Sequence, residues 1–226
     1  YLVKLRPIDF GKYKGSLVYT CSDCINDNLL RIWSFPWAMQ EEWVIEEEKE
    51  KLKIDEFKIN EIRSWVAEKL KLNLIGCPNV FMTIESLLEY KRIFFSHIED
   101  LSIIAIYLDE YDTLDLIKKF ELPSTQLGEF GLRLTLLKQL EDADSKNEIL
   151  HGYDIIGVES GGDFHTFHCN NLATKLSEKF GLKLNKYGLF NQTKNWKPVT
   201  EFLNSIDAGA EPVAWFVTKV KLVVNI

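Results

Sequence analysis

The run LSIIAIYL at 101–108 limits the possible folds more than any other stretch of this chain. It is short, β-branched and almost free of polar residues, which is what a strand covered on both faces requires. Such a strand belongs near the centre of a sheet, with other elements packed above and below it. At 226 residues, 46% hydrophobic and 27% charged, the chain is long and apolar enough to build that core. Disorder, collagen-like repeats and disulfide-dense miniproteins are excluded by the same composition.

Around this strand the periodicities alternate. Ile62, Trp65, Val66 and Leu70 share one face of a helix expected at 61–72, with Asn60 as its cap. A second helix is expected after Thr83, with Ile84, Leu87, Leu88, Phe94 and Phe95 as its apolar stripe. Asp112 and Asp115 offer a cap and a favourable first-turn charge to LDLIKKF at 114–120. Phe130, Leu132, Leu134 and Leu136 alternate with Gly131, Arg133 and Thr135 as in a half-buried strand, although Leu136, Leu137 and Leu140 also fit a helix.

YDIIGVES and DFHTFHC flank Gly161-Gly162, a turn signal that predicts a β-hairpin over 153–169. Asn170 or Asn171 then caps LATKLSEKF, which stops at Gly181. A helix after Pro198 and a strand over 213–224 complete the series. The expected class is α+β, with a mixed sheet, the C-terminal hairpin and flanking helices. Residues 1–125 read as a helix-rich half with one buried strand and 126–226 as an α+β half, the two forming one compact unit.

Charge narrows the partners. The formal net charge is −7, which disfavours nucleic acid and favours a basic protein. The excess is concentrated. Segment 41–56 holds eight acids against three lysines, DEYDTLD at 109–115 carries four acids, and 183–226 is net +3 from six lysines and three acids. These runs also serve as solvated faces or helix caps. The start, YLVKLRPIDF, has no apolar stretch of signal-peptide length, and no run approaches the roughly 20 residues of a membrane span. A cytoplasmic protein away from membranes is expected.

Few residues suggest chemistry. HTFHC gathers His165, His168 and Cys169. On a strand, His165 and His168 point to opposite faces, and His165 and Cys169 stand roughly 13 Å apart at Cα, too far to share one zinc without a bend. A metal there would need His151 or Asp154 as well. The pair Cys21 and Cys24 has dithiol spacing, but no second close pair exists for zinc and Asp23 opposes a low thiol pKa. Ser160 lies three residues after Gly157, so GVESGG is not a nucleophile elbow. Asp109, Glu110 and Asp112 could pair as carboxylates, with nothing in the sequence to raise a pKa. Phosphate-loop, dinucleotide and zinc-protease motifs do not occur. No cofactor and no metal are expected.

The stretch GYDIIGVESGGDFHTFHCNNLATKLSEKFGLKLNKYGLF at 152–190 resembles the C-terminal parts of small bacterial immunity-type proteins encoded beside polymorphic toxins. That resemblance implies a cytoplasmic, acidic, non-catalytic α+β protein that neutralises a basic toxin domain by direct binding. Its contact set would be Glu41, Glu42, Glu46, Glu47, Asp109, Glu110 and Asp112 as steering charges, with Trp43 and Tyr111 as anchors. The alternatives are a hydrolase-type enzyme using His165, His168 or Cys169, and a scaffold or regulatory domain.

Overall fold

The computed structural model describes residues 2–4, 7–8, 16–17, 30–31, 49–50, 52–72, 81, 83–99, 101–108, 114, 118, 147–158, 164–168, 171–191 and 195–224. Four short strands come first: β1 (Leu2–Lys4), β2 (Pro7–Ile8), β3 (Ser16–Leu17) and β4 (Leu30–Arg31). Then follow α1 (Glu56–Lys71), α2 (Ile84–Phe94), β5 (Ser102–Tyr107), β6 (Glu148–Val158) and β7 (Phe164–Thr166). The chain continues with α3 (Leu172–Phe180), α4 (Lys197–Leu203), a 3-10 turn (Ile206–Ala208) and β8 (Ala214–Val223). The strand order is β4-β1-β5-β8-β6-β7, with β2 and β3 forming a separate pair.

The α+β class holds, and β5 lies inside the sheet between β1 and β8 as the run at 101–108 requires. The expected mixed sheet does not. Every pairing among the described strands is antiparallel. An uninterrupted apolar strand reports cover on both faces, and cover does not fix direction. Among the described residues, Ile103, Ile104 and Ile106 of β5 pack into the cluster built with α1 and α2.

Alternation along the strands sorts the two faces. Phe216 and Val220 of β8 and Ile156 of β6 pack with Ile59, Ile62 and Val66 of α1 and Leu87, Tyr90 and Phe94 of α2. Trp215 and Val217, with Tyr153 and Ile155 of β6, instead join Leu172 and Leu176 of α3 and Val199 and Leu203 of α4. The sheet is therefore the middle of three layers.

Local chemistry sets the helix ends. α1 begins ahead of the expected start at 61, because Asp55 accepts from the Lys58 amide at 2.9 Å. Asn60 is consequently an interior residue, whose side-chain oxygen accepts from Arg63. Thr83 caps α2 as expected, accepting from the Ser86 amide at 3.1 Å. Ile84 is exposed, and Tyr90, absent from the expected stripe, is fully buried. Asn171 occupies the cap position of α3 through a left-handed backbone (φ 56°) with no side-chain cap bond, and the Phe167 carbonyl accepts from Ala173 instead. Gly181 ends that helix at φ 66°. Of LDLIKKF only Leu114 and Lys118 are described, both helical; the alternating segment at 130–136 and the Gly161-Gly162 turn lie outside the described residues.

Candidate functional site

The hairpin is present, with β6 running back to Glu148 and β7 reduced to three residues. Thr166 faces Ile156, His165 faces Gly157 and Phe164 faces Val158. Gly157 is needed at its place because a Cβ there would stand 2.6 Å from Val213 and 3.1 Å from the Trp215 ring. That bare backbone lets the segment entering β8 lie close to the hairpin.

The close approach gives His165 a neighbour that sequence spacing could not supply. Its Nδ1 is 3.9 Å from Glu211 Oε1, with 15% and 29% of the two side chains exposed. The separation lies within ion-pair range and beyond hydrogen-bond length. Glu211 is fixed by its backbone, since its carbonyl accepts from the Trp215 indole at 3.1 Å. His168 does not continue the strand alternation, because β7 ends at Thr166 and Phe167 and His168 form a turn. Its ring lies 4.1 Å from that of Phe167, and the residue is 9% exposed. Among the described residues, no three His, Cys, Asp or Glu side chains are grouped to hold a metal ion. Cys169, Cys21 and Cys24 lie outside the described residues, as do Glu41, Glu42, Trp43, Glu46, Glu47, Asp109, Glu110, Tyr111 and Asp112.

On the opposite face of the hairpin, Asp154 is buried to 1% exposure beside Thr166 and Thr218, both equally enclosed. Its Oδ1 accepts from the Ile155 amide at 2.8 Å and from the Thr166 hydroxyl at 3.4 Å. The Thr218 hydroxyl donates to the Asp154 carbonyl at 3.4 Å. These bonds tie β7, β6 and β8 together across the sheet, and partners of this kind are what make a buried carboxylate tolerable. An acid at the start of the apolar run DIIGV was the one trace of it in the sequence.

A second polar cluster closes the other end of the sheet. Glu148, whose side chain is 4% exposed, accepts from the Tyr107 hydroxyl and from Lys221 Nζ at 2.9 Å. Lys221 also sits 4.5 Å above the Tyr107 ring. Three strands thus share one carboxylate, each of whose oxygens accepts a bond from a different strand. Its members, Tyr107, Glu148 and Lys221, are too far apart in sequence for any motif to have joined them.

Further back, α1 carries the described end of the acidic run. Asp55 and Glu56 are exposed there, and Phe57 is 72% exposed. Glu56 pairs with Lys49 at 3.0 Å, and Glu61 with Lys58 at 2.8 Å. The described helices include none long and apolar enough to cross a membrane. No family model, no curated protein and no solved structure matches this chain.

Proposed function

We propose that this chain is a non-catalytic binding protein that neutralises a cognate protein, in the manner of a bacterial immunity protein occluding a basic toxin domain. One observation carries the reading: the acidic segment 41–56 runs directly into α1, where Phe57 stands 72% exposed beside Asp55 and Glu56. A large ring left in water among acids suits a contact in which an aromatic anchors and the surrounding charge steers. In this reading Glu41, Glu42, Glu46 and Glu47 supply the steering, with Trp43 as a further anchor. Asp109, Glu110, Tyr111 and Asp112 extend the contact set. The buried polar groups Asp154 and Glu148 are engaged in holding strands, which is consistent with a scaffold that presents a surface.

Co-expression tests the proposal. The chain is expected to rescue growth of cells making the toxin domain encoded beside its gene. Reversal of Glu41, Glu42, Glu46 and Glu47 to Lys should abolish rescue, and Phe57→Ala should weaken the complex about tenfold. Rescue that survives both changes, or no rescue at any expression level, would contradict the reading.

A further inference from the structure

We propose that His151 is a pH-sensitive clasp on the 181–191 loop, which is docked on β6 while the imidazole is neutral and loosens at residues 185–189 when it is protonated. His151 is the extra residue of a β-bulge, since the β6–β8 register shifts between Leu150 and Gly152. A bulge re-aims the side chain that it carries. Here the ring stacks on Tyr187, centroids 4.1 Å apart and planes 15° from parallel. The His151 carbonyl accepts from Asn185 Nδ2 at 2.7 Å. Asn185 in turn organises the loop, its Oδ1 accepting from the amides of Tyr187 (2.8 Å) and Leu189 (3.3 Å). Behind the clasp, Tyr153 and Phe190 exchange backbone hydrogen bonds, both at 2.9 Å.

The charges around the ring set the sign. From the loop, Lys186 Nζ lies 5.0 Å from the centroid of the same Tyr187 ring. Across the sheet, Lys219 and Lys221 of β8 flank Val220, the partner of Gly152, and Lys221 is neutralised by Glu148 on β6. The remaining acid nearby on β6, Asp154, is bonded within the sheet. Among the described residues, then, loop docking half-buries His151 against Tyr187 and brings Lys186 near it, without a carboxylate to receive its proton. Burial first, and the charge of Lys186 second, hold His151 below the usual histidine range. A protonated imidazole is attracted to an aromatic face, but Lys186 already occupies that ring's field. A group that loses proton affinity on docking must, once protonated, weaken the docking by the same factor.

Amide hydrogen exchange read residue by residue tests the clasp. Between pH 7.5 and 5.5, protection factors corrected for intrinsic exchange are expected to fall several-fold at Tyr187 and Leu189 while staying constant at Ile155. His151→Phe keeps a flat ring on Tyr187 and should remove the fall. Lys186→Gln, at an exposed position that leaves the bulge untouched, should reduce it. The proposal is overturned by unchanged protection at Tyr187 and Leu189 in the parent chain. It is equally overturned if His151→Phe and Lys186→Gln both respond to pH as the parent does.

Discussion

The layer built by α1 and α2 and the layer built by α3 and α4 hold the same sheet by different means. The first is a matter of volume. Trp65, Phe81, Tyr90, Phe94 and Phe95 pack at tilted and edge-on angles with ring centroids 5.1–6.4 Å apart, and Tyr90 and Phe95 have no exposed surface at all. Enclosure drives the Tyr90 hydroxyl well above the ordinary tyrosine range. The second layer is fastened by particular atoms. Asn204, just past α4, accepts from the Trp215 amide at 3.1 Å and donates to the Trp215 carbonyl at 3.2 Å. Gly157 admits Val213 and the Trp215 ring so closely that a Cβ would stand 2.6–3.1 Å from them. Packing by volume tolerates reshaping, whereas a layer held by single bonds and close approaches fails at single positions.

Truncation in the aromatic layer should show the largest effect. Tyr90→Ala is expected to destabilise by about 3–5 kcal/mol in a urea titration, while Leu87→Met costs less than about 1.5 kcal/mol. Equal losses from the two would dissolve the contrast. In the other layer Gly157→Ala, a change of one methyl group, should cost about 1–3 kcal/mol because Val213 and the Trp215 ring both oppose it. Stability within about 0.5 kcal/mol of the parent would show that the segment entering β8 yields freely. Asn204→Ala removes both bonds to Trp215, with an expected loss of about 1–2 kcal/mol. Thr83→Ala, which strips the α2 cap, should cost about 1 kcal/mol.

The smallest effect concerns the rim of the aromatic layer. Glu89 receives Lys69 Nζ at 2.7 Å and the Trp65 indole at 3.4 Å. The Lys69 bond, helped by Trp65, holds its carboxyl below the usual range against the opposing effect of burial. A depressed carboxylate stabilises the fold above its ordinary pKa, and the contribution disappears as pH falls through the lowered value. Glu89→Gln should therefore cost about 0.5 kcal/mol at pH 7 and nothing in acid, the pair being partly exposed. A difference that persists at low pH would place the effect in packing.

The same contrast explains what the sequence disclosed. Helical spacing identified Leu87, Phe94 and Ile62 as core, because burying a stripe leaves a period. The run at 101–108 announced a strand inside the sheet, and Gly181 announced a helix end. What remained hidden depends on contacts between distant residues. Nothing near His165 named Glu211, 46 positions on, as its neighbour, and nothing near Glu148 named Tyr107 and Lys221. His168 was assigned to a strand face by alternation, but the strand stops two residues earlier. Asp55 outcompeted Asn60 for the α1 cap although both residue types favour that place.

The most direct test of the proposed function is a calorimetric titration of this chain with its proposed partner, a basic toxin domain, run at low and at physiological salt. Steered binding through an acidic surface predicts a one-to-one complex with Kd below about 1 μM that weakens at least about tenfold as salt rises. No heat of binding at micromolar concentrations, or an affinity indifferent to salt, would contradict it.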